Sequence, residues 1–169
     1  MIKLFIPYFF LTFFGFCVKA APIINNEAQT HDANKMIVPM GGNTWTIHGG
    51  KINNKGLTNW ESSSTSIKTY VYISQSGSLK LSVNMNPGGK NKLKFTIQGI
   101  SKELSVEGSL EKEFFVGNWE NIHKGYVTIE LQGVSRTADN FGTVSSIGIS
   151  GTSINTETAF VKDNIDNYF

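Results

Sequence analysis

From residue 67 to residue 149, apolar and polar positions alternate along the chain. Ile67, Val71 and Ile73 share one parity; Leu79, Leu81, Val83 and Met85 follow, then Leu93, Phe95 and Ile97, then Val127, Ile129 and Leu131. Between them stand Lys68, Lys80, Ser82, Asn84, Lys92, Lys94, Thr96, Thr128, Glu130 and Gln132. Successive side chains of a strand point to opposite faces, so a period of two describes sheets with one buried and one wet face. Two such sheets bury their apolar faces against each other. The pattern therefore predicts an all-β protein, a two-sheet antiparallel sandwich. No stretch of helical length carries an apolar stripe.

Turn residues divide the alternation into strands. Ser76-Gly77 separates the first long strand from the second, and Asn86-Pro87-Gly88-Gly89 separates the second from the third. Proline presets one turn dihedral there and glycine supplies the other. Gln98-Gly99 and Glu107-Gly108 punctuate the next strands, and others are expected near 114–119, 126–131 and 144–149. Ahead of this ladder, short strands are expected at 36–40 and 44–48, each closed by a glycine pair. Residues 51–65, with Asn53, Asn54, Gly56, Asn59 and a serine run, read as one long loop with Trp60 planted in it. Loops of that length usually carry function or disorder. The turn spacing suits a jelly-roll-like sandwich of about eight to ten strands.

The ends read differently. Lys3 and the apolar run over residues 4–18, followed by Val18-Lys19-Ala20, fit a signal peptide at 1–20 with Ala21 as the first mature residue. A lipoprotein signal on Cys17 is the alternative, but the large Phe16 does not suit it. Residues 21–35 read as a flexible leader, 36–151 as the β-sandwich domain, and 152–169 as a linker or the start of a companion domain. A secreted, periplasmic or extracellular location is expected, without a membrane span after cleavage.

Removing the signal changes the charge. The chain has 15 Lys+Arg against 13 Asp+Glu, and Lys3 and Lys19 leave with the signal, so the mature domain balances. A neutral domain lacks the basic footprint of a nucleic-acid binder. The single cysteine leaves as well. The mature chain then has no disulfide, thiolate metal site or cysteine nucleophile, and its stability must come from its core.

Three stretches carry a resemblance. Val38-Pro39-Met40-Gly41-Gly42-Asn43, Gly56-Leu57-Thr58-Asn59-Trp60, and Leu131-Gln132-Gly133-Val134-Ser135 ahead of Phe141 and Ile149-Ser150-Gly151 together resemble a secreted bacterial domain of unknown function. That domain usually precedes a second uncharacterised domain. Residues 158–163 look like the lead-in to this companion. The family brings no activity with it. A looser likeness runs through Tyr70-Val71, Ser76-Gly77, Gly117-Asn118-Trp119 and Leu131-Gln132-Gly133, which together are similar to the galactose-binding-like jelly rolls. Carbohydrate-binding modules of families six and thirty-five belong there. The likeness implies loops at one edge that present aromatics and an asparagine to sugars, and a calcium ion bracing the sandwich. Acids often found near the last strand are absent, with Thr143 and Ser146 in their places. No cofactor is therefore expected, and structural calcium is doubtful.

Among the residues themselves, Trp60 is the leading candidate. A sugar presents an apolar C–H face, so an indole with neighbouring amides makes an economical site. Asn59 precedes Trp60 in an otherwise polar loop; the competing reading is that Trp60 plugs the open end of the sandwich. Trp45 and Trp119 lie in expected strands, where burial is the default. Asp139-Asn140-Phe141 offers an acid, an amide and an aromatic that would grip hydroxyls, or else forms an ordinary turn. Tyr70 and Tyr72 face water if Val71 faces the core, either as a binding stripe or through β-propensity alone. Glycosidase chemistry needs two carboxyls at a fixed separation, one with a raised pKa. Glu103, Glu107, Glu111, Glu113, Glu120 and Glu130 fall mostly on polar faces or turns and read as solvated acids. His31, His48 and His123 lack metal-ligand spacing, and no nucleophile elbow or phosphate loop is present. The expectation is a non-catalytic module that recognises extracellular glycan through Asn59, Trp60, Asp139, Asn140 and Phe141. The alternatives are a structural module that docks a companion domain and, further off, a hydrolase.

Overall fold

A computed structural model describes residues 34–160. The expected signal peptide, nearly all of the expected leader and residues 161–169 lie outside them. Among the described residues the chain forms twelve strands and no helix. They are β1 (Met36–Pro39), β2 (Thr44–Ile47), β3 (Lys51–Asn53), β4 (Gly56–Thr58), β5 (Ser66–Ile73) and β6 (Gly77–Asn86). Then come β7 (Gly89–Ile97), β8 (Ile100–Gly108), β9 (Lys112–Ile122), β10 (Gly125–Arg136), β11 (Thr143–Ser150) and β12 (Ala159–Phe160).

The strands build two antiparallel sheets of six. The first runs β3-β4-β11-β6-β9, with β1 also on β11; the second runs β12-β5-β10-β7-β8, with β2 also on β5. From β5 onward the chain passes repeatedly between the sheets, as a jelly-roll-like order requires. The period-two positions meet between them: Leu81, Val83, Phe95, Ile97, Val127, Ile129 and Leu131 are all at most 2% exposed. Each such side chain contributes about 1.5–3 kcal/mol of hydrophobic burial. The fold expected from the alternation is the fold observed.

Local chemistry sets the turns. Ile97 pairs with Ile100 across Gln98 and Gly99, which both take left-handed dihedrals at φ 47 and φ 82. Two consecutive positive φ values give the turn whose twist matches a two-residue hairpin, and glycine meets that demand without a Cβ penalty. At the β6–β7 turn the Asn86 side chain accepts the Gly88 N–H at 3.0 Å, closing the turn from within.

Two expectations are revised. Residues 51–65 are not a single loop, because β3 and β4 pair into a hairpin over Lys51–Thr58 and Asn53–Gly56. Lys55 N–H donates to Asn53 Oδ1 at 2.8 Å and fixes its turn. The boundary expected at residue 151 falls inside the packed body. Ser153 is fully buried, Ile154 is 2% exposed and β12 adds a strand to β5. Apolar Ile154 has core to fill there, and Ser153 N–H donates to Ser78 O at 3.0 Å, tying the segment to β6.

On the outer side of the first sheet, Glu113 accepts hydrogen bonds from Lys35 Nζ and Ser82 Oγ. The Lys35 bond first and the Ser82 bond second hold its carboxyl below the ordinary carboxylate range, against a weaker opposing effect of burial.

Candidate functional site

The residues expected to hold sugar gather at one end of the sandwich. Asn59, just after β4, takes a left-handed φ of 51. Asparagine tolerates that conformation, and the kink turns Trp60 inward. The indole is fully buried and its Nε1–H donates to Gly142 O at 2.8 Å. Phe141 N–H donates to Trp60 O at 3.0 Å, and the two rings lie 4.9 Å apart at 39°. Phe141 itself is 2% exposed. It occupies the space that a side chain at position 133 would fill, since a Cβ built on Gly133 comes within 2.3 Å of the Phe141 ring.

This corrects the expected roles of Trp60 and Phe141. Neither presents a ring face to solvent, and Trp60 takes the plug arrangement. The reason is a saturated environment: the indole N–H has its acceptor, one face meets Phe141, and Gly133 on β10 makes the room. The pair instead joins two loops far apart in sequence, and that junction brings Asn59 and the 139–142 turn to the same rim. Asp139 and Asn59 are exposed there and Asn140 is half-buried. Asn140 Oδ1 accepts the Gly142 N–H at 2.8 Å, so the turn reading of this segment is also realised.

Arg136 completes the rim. Its guanidinium carbon lies 5.6 Å from the centre of the Phe141 ring, and its Nε donates to Glu61 O at 3.1 Å. A second donor reaches Ala138 O. Beside it opens a groove of about 560 Å³, lined by Lys90, Ser105, Glu107, Ser135, Arg136 and Thr137 among others. Its walls come from β7, β8 and the end of β10; just past β10, Thr137 N–H donates to Lys90 O at 3.0 Å, and Lys90 Nζ pairs with Glu107 at 3.2 Å on the surface. Asn91 also lines the groove at 4% exposure. Its Nδ2 donates to Pro87 O at 2.7 Å, while its Oδ1 is buried without a hydrogen-bond partner. The lining thus offers hydroxyls, the Asn91 amide and three cations, Lys90, Lys92 and Arg136, against the single carboxylate of Glu107, a donor-rich set for a hydroxylated ligand.

Sequence reasoning missed part of a second feature. Tyr70 and Tyr72 do point away from the core. Register then adds two rings: Trp45 pairs with Lys68 and so lies on the same outer face, and Tyr126 lies directly opposite Tyr72. Trp45 is half-buried on that face, not in the core as its strand setting suggested. Trp119 does follow the burial default, at 1% exposure with its Nε1–H donating to Ile100 O at 2.8 Å. The signal for Trp45 lay in pairing register, which alternation within a single four-residue strand does not supply.

The acids do not converge. Glu103 pairs with Lys92 at 2.6 Å, Glu107 with Lys90, and Glu130 accepts from Ser66 Oγ at 2.7 Å. Glu113, the one whose pKa is displaced, is lowered, opposite to what a general acid needs. His31 lies outside the described residues; His48 and His123 are exposed. Among the described residues no three His, Cys, Asp or Glu side chains stand close enough to share a metal. At the strand where the resemblance would put calcium, Thr143 and Ser146 offer hydroxyls, and the neighbouring Ser145 Oγ is bonded to Asn84 O at 3.2 Å. The same hydroxyl also donates to Glu111 Oε1 at 2.5 Å, so this strand offers one carboxylate where calcium takes several carboxylate and carbonyl oxygens. Among the described residues no helix is long and apolar enough to cross a membrane.

Known structures share this architecture. A CBM35 from Cellvibrio japonicus Abf62 superposes with a TM-score of 0.57 at 12% identity, covering 72% of this chain and 96% of its own. A family 35 carbohydrate binding module from Clostridium thermocellum gives 0.54 at 14% identity, over 69% of this chain and 98% of its own. The CBM36-1 domain of a multidomain xylanase from the hindgut metagenome of Trinervitermes trinervoides gives 0.51 at 24% identity, over 72% of this chain and 100% of its own. At these identities the likeness establishes the fold, and it is the sandwich of carbohydrate-binding modules. No curated protein matches the sequence. A family profile does match, over residues 38–154, and the chain belongs to that family, described as a domain of unknown function (DUF5077).

Proposed function

We propose that the domain is a non-catalytic module that binds extracellular carbohydrate at the rim and groove beside Arg136. The observation that supports this reading is the union of two distant loops by the Trp60–Phe141 contact, with Arg136 reaching both the Phe141 ring and the groove on the neighbouring strands. Carboxylate and amide groups held on a rigid edge lose little freedom when they engage sugar hydroxyls. The aromatics act one layer below, by fixing the rim. The shared fold with carbohydrate-binding modules supports the ligand class. No catalytic carboxyl pair and no calcium enter the reading.

The test uses a glycan array followed by affinity electrophoresis in polysaccharide-loaded gels. Asn59→Ala and Asp139→Ala are expected to weaken binding, by about 0.5–1.5 kcal/mol for Asn59 and about 1.5–3 kcal/mol for the charged Asp139. The thermal midpoint should be unchanged in both. Unaltered retention in the two variants would remove the rim from the site. An array on which the wild-type domain gives no signal would favour a module that docks a companion domain instead.

A further inference from the structure

The outer face of the second sheet divides into two unlike halves. Over β7 and β8 it is a charge lattice, with Lys90 paired to Glu107 and Lys92 to Glu103. Over β2, β5 and β10 it is aromatic. Trp45 and Tyr70 meet edge-on with centroids 5.3 Å apart, and Tyr72 and Tyr126 do the same at 5.3 Å. Tyr72 is 39% exposed and Tyr126 is 73% exposed. Register orders the four rings in a diagonal: Trp45 sits level with Lys68 of β5, Tyr70 and Tyr72 come next along that strand, and Tyr126 sits level with Tyr72 on the far side. Strand rise and spacing put about 16 Å between the first and last Cα positions of this row. That length exceeds one sugar ring and matches a short oligosaccharide.

We propose that this row is a second carbohydrate-contact surface, taking a neutral, extended polysaccharide laid flat across the sheet. The ring surfaces of the row answer the apolar C–H faces of successive sugars, while the hydroxyls of Tyr70, Tyr72, Tyr126 and neighbouring Thr128 answer their edges. Neutrality follows from the charges nearby. Lys68 and Glu130 sit in register with each other and Glu130 is also bonded to Ser66, so the aromatic strands offer no unbalanced charge to an ionic ligand; Lys94, a cation of this face outside the ion pairs, lies on β7 level with Gln132, away from the row. Interleaved hydroxyls also distinguish the row from a bare apolar docking patch. The surface shares its ligand class with the rim reading but none of its residues, so the two stand or fall separately.

The experiment is affinity electrophoresis of the full chain in gels loaded with soluble xylan, galactomannan or hydroxyethylcellulose, alongside sedimentation velocity. The Tyr72→Thr/Tyr126→Thr double variant keeps strand propensity while removing both rings, and Trp45→Phe shortens the row at its other end. On at least one polysaccharide the double variant should lose about tenfold in affinity and Trp45→Phe less, with unchanged thermal midpoints. Addition of that polysaccharide should also shift Trp45 emission in the Asn59→Ala background, where the rim is disabled. Retention equal to wild type in the double variant overturns the proposal even if the rim variants lose binding. So does an absence of retention on all three gels, or a concentration-dependent dimer that the double variant abolishes, which would assign the row to a second copy of the chain.

Discussion

Two aromatic clusters in this molecule are built from the same kinds of residue and put to opposite uses. Trp60 and Phe141 lie inside, each at most 2% exposed, with a backbone acceptor for the indole and a glycine making room for the phenyl ring. Trp45, Tyr70, Tyr72 and Tyr126 lie outside, on a sheet face whose far half is charged. What separates the clusters is the chain around each ring. An indole after a left-handed asparagine, its N–H met by a backbone carbonyl and its ring by a phenyl group seated against a glycine, has a socket. An aromatic at an outward register position with another ring across the strand has a neighbour but no socket. The first arrangement holds loops together; the second turns rings toward solvent.

The comparison breaks most visibly at Trp60. Trp60→Ala removes a filled socket, so stability should fall by about 3–5 kcal/mol, read by chemical denaturation. Sugar binding should be lost only in proportion to the rim it disorganises. If Trp60→Ala instead leaves stability within ~0.5 kcal/mol of wild type, the indole is not a plug and the contrast between the clusters collapses.

Gly133 sharpens the same contrast from the other side. A Cβ at position 133 would approach the Phe141 ring to 2.3 Å, so the ring or β10 must move. Gly133→Ala should destabilise by about 1–3 kcal/mol through overpacking. Pairing it with Phe141→Leu, which vacates part of the ring's space, should return some of that loss. The double-mutant cycle is the measurement, and an additive result would mean that Phe141 is not held by the gap at Gly133.

These two positions also show what the sequence made legible. Alternation announced both sheets and most of the core, because period two is a local property that each strand carries by itself. The turns at 86–89 and 98–99 were equally local. The plug was not, since nothing between Gly56 and Thr65 says that Gly133, in a strand over seventy residues away, has left a space for Phe141 to share with Trp60. The same limit hid β3 and β4, which are three residues each and rich in turn formers, and it hid Trp45, whose facing depends on its register against Lys68. Asn59, Asp139 and Asn140 could be grouped by residue type, and the structure brings their loops to one rim through the buried pair. Burial and pairing across the sheet are tertiary facts, so the sequence showed which residues were suited to a site but not which way they face.

The outer row should answer more weakly. Tyr72 and Tyr126 are a directly opposed cross-strand pair, and such pairs contribute about 0.2–1 kcal/mol relative to alanine. The Tyr72→Thr/Tyr126→Thr variant should therefore cost under about 1 kcal/mol, since threonine keeps strand preference while the ring contact goes. Denaturation midpoints measured beside those of Trp60→Ala would rank the clusters directly. A loss as large as that of the buried pair would make the row structural and deny it a binding role.

The smallest expected effect separates both clusters from surface charge. Neither ring cluster depends on a carboxylate, so acid should leave the penalty of Trp60→Ala unchanged. Glu113 is the control. Its carboxyl is held below its ordinary range by Lys35 first and Ser82 second, so the folded state binds its proton less readily than the unfolded chain does. The stability it contributes is fully present above the unfolded carboxylate pKa and is lost as pH falls through the depressed folded value. Its side chain is 46% exposed and that of Lys35 is 35% exposed, so solvent screening limits the pair to a few tenths of a kcal/mol, about the size typical of surface ion pairs. Glu113→Gln should be slightly less stable than wild type at neutral pH, and indistinguishable from it once the pH is below the depressed value. Denaturation curves at both pH values, run with Trp60→Ala in parallel, give the discriminating result. A Trp60→Ala penalty that shrinks in acid along with the Glu113→Gln difference would show that the buried pair leans on a titrating group, and the division between a charge-independent plug and a charge-supported surface would fail.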